Sequence, residues 1–288
     1  MIPVVVGSSP IGHPSFAPRK WRTPALGARP SVRPAVAALF SAALAQVEVN
    51  ARGVAQSTDP EFLHQLRVGL RRLRTVQRAF RGVIPRRSTK PLKRALQKLK
   101  PALGTARDWD VFLADYALPR EMVPVARRKR AAAWRRARSV LSSRAFDEFV
   151  RRARRCMHET KISPLKEVRA QALESFHRKA LRTARRIDWQ DEEDRHALRI
   201  RIRRLRYACE FFAPFFPRAP SAAYLKRVQA LQDILGELND VAVARRLLKD
   251  LKAQPPTHLQ RREGRLIAAL GPAWAAFEKR RPFWNPAA

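Results

Sequence analysis

The sequence predicts an all-α protein made of two pseudo-symmetric helical bundles. After residue 34, apolar residues recur every three or four positions, and no segment shows the sustained two-residue alternation of a half-buried strand. Glycine is scarce, with 10 residues in 288. The same very basic segment occurs twice, as HQLRVGLRRLR at residues 64–74 and as HALRIRIRRLR at residues 196–206. A duplicated amphipathic helix within a helical sequence indicates a duplicated bundle.

The first 34 residues differ from the rest in composition. They contain seven prolines with Gly and Ser between them, and we interpret residues 1–34 as a flexible tail. Residues 35–285 are predicted to form one domain, with a first half at about 35–160 and a second half at about 165–285. The predicted helices of this domain, eleven in number, are at about 35–55, 60–82, 90–103, 107–117, 121–143, 145–160, 165–187, 192–213, 221–236, 239–252 and 257–280.

Capping signals mark the start of both basic helices. Asp59 is a predicted N-cap, and Pro60 follows it at the first helical position, where a missing N–H leaves no hydrogen bond unmade. The acidic residues from Asp191 to Asp194 place negative charge at the start of the second basic helix, where the helix dipole favours it.

Two glycines are predicted to end helices. Gly104 and Gly236 resemble C-caps, because glycine readily adopts the left-handed conformation found there. Asp108 and Asp240 would then lie near the start of the following helix. Each could cap that helix or pair with an arginine of the basic segments.

The basic segments belong to a longer repeat in which matching positions are 132 residues apart. The identical pairs include Leu66/Leu198, Arg67/Arg199, Arg71/Arg203, Arg72/Arg204, Leu73/Leu205, Arg74/Arg206, Phe80/Phe212, Gly104/Gly236 and Asp108/Asp240. A single register held over almost fifty residues is not typical of a solenoid of short repeats. It predicts two related halves.

The net charge of +36 attracts polyanions and opposes compaction. At about 100° per residue, each basic segment separates into an apolar face and a cationic ridge. The two ridges comprise His64, Arg67, Arg71, Arg74 and Arg78, and His196, Arg199, Arg203 and Arg206. Like charges one turn apart repel each other, so the ridges predict an anion-binding face. A solvated or salt-bridged surface is the alternative, and Glu210, at the position equivalent to Arg78, is the one acidic residue on either ridge.

Further cations extend this prediction. Arg94 and Lys98 form a basic stripe on the helix before Gly104, and Lys226 aligns with Arg94 in the second copy. We include these three residues in the candidate anion-binding set. Two ridges of this kind could line one groove or form two separate patches.

The two leading histidines could contact phosphate through a ring N–H, or could serve as structural hydrogen-bonding residues. Protonation beside phosphate would strengthen the first role, because the unperturbed histidine pKa of about 6.5 is close to cellular pH. The sequence has no H-x-x-x-H pattern and no Cys/His cluster, so we expect no metal site and no cofactor. No catalytic residue is predicted.

The sequence also suggests a compartment. Cys156 and Cys209 are the only cysteines and belong to no C-x-x-C pair, which favours a reducing cytoplasm. The start of the chain lacks the pattern of a secretory signal. The apolar cluster YACEFFAPFF is interrupted by Glu210 and Pro214, and we predict no membrane-spanning segment.

At these motifs the chain resembles a known family. The H-x-x-R-x-x-x-R-R-x-R helix followed by LGTARDWDVF is similar to the first half of the CHAD domain, the conserved histidine α-helical domain. HALRIRIRRLRYACEFF with LQDILGELNDVAV is similar to its second half, and WAAFEKRRPFW resembles the family's ending. The resemblance covers roughly residues 33 to 285. It implies binding of inorganic polyphosphate on a basic surface, association with polyphosphate granules, and ligand contacts from both ridges.

Two other functions stay open at this stage. A nucleic-acid-binding protein would have the same charge, although no helix-turn-helix, zinc-finger or RRM signature is present. A polyphosphate-processing enzyme is the second alternative. Many relatives carry an N-terminal CYTH domain that hydrolyses triphosphate, but its E-x-E-x-K signature is absent from this sequence. We therefore expect a binding protein and no enzyme.

Overall fold

The computed structural model describes residues 17–27 and 31–285. These residues form nine α-helices and one short 3₁₀-helix, and they contain isolated β-bridges but no strand. The all-α prediction is confirmed for this part of the chain. The helices are α1 (Val32–Gln56), α2 (Pro60–Ala79), α3 (Arg86–Asp115), α4 (Val123–Leu141), α5 (Arg144–His158), α6 (Leu165–Ala184), α7 (Glu192–Phe212), α8 (Arg218–Asp250) and α9 (Thr257–Glu278), with the 3₁₀-helix at Ala213–Phe215.

The helices pack mainly against neighbours in the sequence. Helices α1 to α5 contact one another, as do α6 to α9, and the two groups meet where α2 packs on α7 and α3 packs on α8. Phe80 and Phe212, which are 132 positions apart, are in edge-to-face contact with ring centroids 5.8 Å apart. The two basic helices therefore lie beside each other. The internal repeat itself stays a prediction.

The predicted number of eleven helices is wrong, because two pairs of predicted helices are continuous. The segments predicted at 90–103 and 107–117 form α3, and those at 221–236 and 239–252 form α8. Gly104 and Gly236 lie inside these helices and cap neither. A glycine inside a helix costs only about 1 kcal/mol relative to Ala. Buried residues continue at helical spacing past each glycine, and their packing outweighs that cost.

The predicted N-cap of α2 and the predicted acidic start of α7 are confirmed, and Asp191 is also the N-cap of α7. The backbone N–H of Glu61 donates to Asp59 Oδ1 over 2.8 Å, with Pro60 at the first position of α2. The backbone N–H of Asp194 donates to Asp191 Oδ1 over 2.8 Å at the start of α7. These caps fix where each basic helix begins, and so the direction in which its ridge faces.

The proline-rich segment is partly outside the described residues, which exclude residues 1–16 and 28–30. Residues 17–27 have no regular secondary structure, but they contact the bundle. The backbone N–H of Arg19 donates to Asn50 Oδ1 over 3.1 Å, and Asn50 returns a hydrogen bond to the carbonyl of Arg19. The Trp21 ring lies against Arg72. This part of the predicted tail is attached to the domain, and α1 begins three residues before the predicted boundary.

Helix α1 is the segment, among the described residues, that bears on the prediction of no membrane-spanning helix. It is long and apolar enough to cross a bilayer by length and composition, with a mean hydropathy of 1.3 over its most apolar window. The fold buries half of that window. Val36, Leu39, Phe40 and Val47 are fully buried in the common core, so α1 is a core helix of this bundle.

Candidate polyanion-binding site

The arginine ridges of α2 and α7 face each other across the junction of the two helix groups. Burial and the nearby charge of Arg71 lower the pKa of Arg67 to about 10, and Arg199 acts in the same direction. Burial and Arg71 also lower the pKa of Arg199 to about 10. Arg203 is affected most strongly, through burial and then through Arg71 and Arg199. The two predicted ridges therefore form one cationic surface.

A lysine of α3 joins the middle of this surface. Partial burial, followed by the charges of Arg74, Arg204, Arg203 and Arg71, lowers the pKa of Lys100 to about 8. These four arginines come from both α2 and α7. Lys100 therefore lies where the two ridges meet.

The surface continues to the C-terminal end of α2. Burial, Arg74, Arg81 and Arg201 lower the pKa of Arg78 to about 10. Burial, Arg78, Arg74 and Arg201 lower the pKa of Arg204 to about 9. We call the whole set the basic cluster, which comprises Arg67, Arg71, Arg74, Arg78, Lys100, Arg199, Arg201, Arg203 and Arg204.

The basic cluster is not neutralised internally. Among the described residues, none of its side chains forms an ion pair within 4.0 Å. Buried N–H groups at Arg67 Nε and Arg203 Nη1 have no hydrogen-bond acceptor there. Because guanidinium groups stay protonated in proteins, these partly buried cations repel one another in the free protein. An anion placed on the cluster would remove that repulsion and accept the unused N–H groups.

Gly104 has a different role from the predicted cap. A Cβ atom at this position would lie 3.2 Å from Nη1 of Arg67, closer than side chains usually approach. The glycine therefore gives the Arg67 guanidinium room against α3. A Cβ atom at Gly236 would have no atom within 4 Å. The close approach of an arginine therefore occurs at Gly104 and not at Gly236.

The histidines at the head of each ridge have different neighbours. Burial and Arg107 lower the pKa of His64, with further contributions from Arg71 and Arg67. His196 is only partly buried and is more exposed than His64, and its Nδ1 lies 3.2 Å from Asn239 Oδ1. Burial and the flanking arginines outweigh this hydrogen bond and lower the pKa of His196. Both imidazoles are therefore mainly neutral in the free protein at neutral pH.

The repeated aspartates flank the basic cluster from inside α3 and α8. Asp108 Oδ2 accepts a hydrogen bond from Arg246 over 2.6 Å, and it also acts electrostatically on Arg67 and Arg199. Burial raises the pKa of Asp240, against the opposing effect of Arg199. The capping alternative for these residues is wrong, because both lie within a helix. They border the motif arginines without forming direct ion pairs to them.

Four predicted residues lie apart from the basic cluster. Arg206 donates from Nε to Glu210 over 2.6 Å, and is therefore internally paired. Lys98 is turned towards α5, where its Nζ lies 3.9 Å from Glu148. Arg94 and Lys226 are exposed, and neither forms an ion pair within the described part of the chain. The structure thus brings together His64, Arg67, Arg71, Arg74, Arg78, Arg199 and Arg203, with His196 at the edge.

Other contributors were missed in the sequence. Arg201 and Arg204 lie on α7 next to the predicted second ridge, outside the face that the sequence identified. They approach α2 because α2 and α7 pack side by side. Lys100 lies two positions beyond Lys98, and therefore on another face of α3. Arg107 acts electrostatically on His64. Helical phase alone could not identify these residues, because their role depends on how the helices pack.

No metal centre is apparent in the described residues, which contain no cluster of three or more His, Cys, Asp or Glu side chains. Both cysteines are free and buried. Burial raises the pKa of Cys156 to about 12, and Glu159 contributes in the same direction. The arrangement can bind and orient anions, and nothing in it resembles an activated nucleophile.

Comparisons with known proteins agree with this architecture. Residues 38–249 match the family model described as CHAD domain. A crystal structure of the CHAD domain from the plant Ricinus communis is similar, with a TM-score of 0.77 and 30% sequence identity. That match covers 92% of this chain and 98% of the plant chain. A search of curated proteins gave no significant match.

Proposed function

Because the chain belongs to the CHAD domain family, we propose that its basic cluster binds inorganic polyphosphate without cleaving it. The observation that carries the proposal is the cluster itself. Cationic side chains from α2, α3 and α7 converge on one surface and repel one another, and no carboxylate pairs with them within the described residues. Such an arrangement is costly unless an anion occupies it. This uncompensated charge is what supports a polyanion as the partner.

The geometry of the ridge suits a chain of repeated phosphates. Arg67 and Arg78 are eleven residues apart on α2, so the ridge is about 16 Å long at 1.5 Å per residue. Guanidinium groups present a planar fork that matches phosphate oxygens. A linear polyphosphate offers such oxygens at every unit. One chain could therefore contact α2 and α7 together.

Polyphosphate fits this surface better than a nucleic acid because the cluster lacks a stacking platform. Proteins that bind single strands use aromatic side chains on which bases stack. Here Trp109, Trp134, Trp274 and Trp284 are buried in the core. Trp21 lies against Arg72 and Phe211, neither of which belongs to the basic cluster. The site thus provides charge and hydrogen-bond donors without an aromatic surface on which bases could stack.

A competition titration tests the choice of polyanion. Long-chain polyphosphate and duplex DNA would be titrated at equal phosphate concentration and at several salt concentrations. We expect polyphosphate to bind more tightly and its affinity to fall with salt, with a log–log slope of about 0.7–0.9 per phosphate neutralised, by analogy with nucleic acids. Displacement of polyphosphate by duplex DNA at equal phosphate would favour the nucleic-acid alternative.

An assay of orthophosphate release tests the absence of catalysis. The protein would be incubated with polyphosphate and Mg²⁺, and we expect no release above the rate without protein. Release that disappears when His64 and His196 are replaced by Ala would establish a polyphosphate-processing enzyme and would contradict the binding proposal.

We also propose that the protein resides in the cytoplasm at polyphosphate granules. The support is the ligand class, because a dense polyanion store would recruit a protein of net charge +36. A fluorescent fusion of the full chain should form granule-associated foci. Diffuse fluorescence in cells that contain granules would contradict this location.

A further inference from the structure

A pocket of about 350 Å³ lies at the end of the basic cluster, between the C-terminal end of α2, helix α6 and helix α7. At about 30 Å³ per water molecule, it has room for roughly ten waters, which is enough for one or two phosphate groups with bridging waters. Its lining consists of Arg78, Ala79, Arg81, Gly82, Val83, Val168, Gln171, Ala172, Ser175, Phe176, Lys179, Arg201 and Arg204.

The polar part of this pocket is strongly cationic. Five of the lining residues are Arg or Lys, and none is acidic. Burial lowers the pKa of Lys179, and Arg81, Arg78 and Arg201 lower it further. The Lys179 ammonium group donates to Ser175 Oγ over 2.8 Å, so it is held in place by a neutral partner. The pocket therefore concentrates positive charge without an internal counter-charge.

The remaining walls of the pocket are apolar and close one side of it. Phe176 and Ala172 of α6 are buried, and Val168 belongs to the same helix. Gly82 has a positive φ of 105° in the turn after α2, a backbone conformation that residues other than glycine rarely adopt. This turn brings Val83 to the pocket. A polar chain that enters from α7 thus meets α6 and an apolar surface.

The pocket is continuous with the basic cluster. Arg78, Arg201 and Arg204 belong to both, and Arg78 and Arg204 also interact with Arg74 in the middle of the ridge. A polyphosphate that follows the ridge is therefore led into the pocket. Because residues of α6, including the buried Phe176 and Ala172, form one wall of the pocket, the pocket suits the end of a chain better than an internal segment.

The charge of the pocket agrees with this geometry. An internal phosphate has one ionisable oxygen, whereas a terminal phosphate has two, and its second ionisation resembles that of a phosphate monoester with a pKa near 6. The terminal group is therefore the most highly charged unit of the polymer at neutral pH. We propose that this pocket binds the terminal phosphate of polyphosphate, an inference that rests on the proposed function of the basic cluster.

A pair of chemically defined chains tests this inference. One probe is a short linear polyphosphate with free ends. The other has both terminal phosphates converted to alkyl phosphoramidates, and is lengthened so that the total charges are equal. We expect the blocked chain to bind about tenfold more weakly, because it loses charge-assisted hydrogen bonds at its end.

A pocket variant locates the effect. Lys179→Met combined with Arg81→Gln removes two charges from the pocket and leaves the α2 and α7 ridges intact. In this variant both probes should bind with the affinity that the blocked chain has for the unmodified protein. The matched control is Arg128→Gln combined with Lys129→Met, which removes the same charge from the exposed face of α4 and should keep the tenfold preference.

The possible results separate this inference from the proposed function. Equal binding of the two probes to the unmodified protein would overturn end recognition while leaving polyphosphate binding intact. A tenfold preference that persists in the folded Lys179→Met, Arg81→Gln variant would also overturn the pocket assignment. Failure of both probes and of long-chain polyphosphate to bind would overturn the proposed function itself.

Discussion

Residues that are 132 positions apart in the sequence behave in opposite ways at the α2–α7 contact. On one side, Arg72 of α2 pairs with Glu210 of α7 over 2.6 Å. The positions 132 residues away from these are Arg204 and Arg78, which lie at the open side of the contact, where they line the pocket and act on each other electrostatically. There both residues are cations, so the interaction is repulsive.

The paired side is also covered. Arg72 is only 6% exposed, and its guanidinium lies 4.6 Å from the ring centroid of Trp21 and 4.4 Å from that of Tyr207. Glu210 accepts a second hydrogen bond from Arg206. Glu210 therefore makes this side of the contact an internal network of ion pairs, and the segment before α1 covers that network. The open side keeps its charge unpaired and available for a ligand.

The largest predicted effects concern what the two halves share. Leu73 and Leu205 occupy equivalent positions, and both are fully buried. Replacement of either by Ala should lower the free energy of unfolding by about 2–5 kcal/mol, through lost apolar burial and a cavity. Chemical denaturation followed by circular dichroism would measure both values. A clearly smaller loss for one variant would show that the two apolar faces are not equivalent in packing.

The next effect belongs to the paired side alone. Glu210→Gln should destabilise the protein by about 3 kcal/mol, because the Arg72 guanidinium would remain buried without its counter-charge. Glu148→Gln, which removes a carboxylate from the more exposed Lys98 pair, provides the control and should cost about 1 kcal/mol or less. Equal losses for the two variants would contradict a structural role for the covered ion network.

Removal of a charge on the open side should stabilise the free protein, whereas removal of Glu210 destabilises it. Arg204→Met keeps an apolar stem but removes a charge that repels Arg78 and Arg74. We expect the free protein to gain about 0.5 kcal/mol of stability and to bind polyphosphate more weakly. Thermal unfolding and a binding titration measure the two quantities. An Arg204→Met protein that is less stable than the unmodified protein and binds polyphosphate equally tightly would contradict the difference between the paired and the open side.

The smallest effect is a pH dependence at Lys100. Its pKa of about 8 in the free protein lies below the usual value of 10.5, so the amine loses its proton as pH rises above about 8. Binding a polyanion must restore that proton, and affinity should therefore fall between about pH 8 and pH 10. Over the same interval the free protein should become slightly more stable, because the unfolded chain holds more protons there.

Lys100→Arg provides the comparison, because arginine remains charged across this interval. Titrations at about pH 7.5 and pH 9.5 should show the loss of affinity in the unmodified protein and a smaller loss in the variant. The same loss in both proteins would show that another group is responsible.

Local sequence signals predicted much of the fold. The Asp59–Pro60 start of α2 and the acidic start of α7 depend on neighbouring residues only, and both are confirmed. The predicted breaks at Gly104 and Gly236 are wrong, because burial of the residues on either side keeps α3 and α8 helical. Propensity describes one residue at a time, whereas that packing depends on other helices.

The candidate site shows the same limit. The ridge on α2 was visible from helical phase, since Arg67, Arg71, Arg74 and Arg78 share one face. The contribution of Lys100 could not be predicted, because it depends on how α3 packs on α2 while α2 packs on α7. Arg206 fits the second ridge by phase, yet Glu210, one turn further along the same helix, pairs with it.

The most direct test of the central claim is polyphosphate binding after charge reversal of the basic cluster. Arg67, Arg71, Arg199 and Arg203 would be replaced together by Glu, and the matched control would carry Glu at the exposed positions Arg128, Arg135, Arg136 and Arg151. We predict that the cluster variant keeps its helical circular dichroism and loses polyphosphate binding, while the control binds with an affinity close to that of the unmodified protein. A folded cluster variant with unchanged affinity would contradict the assignment of this surface.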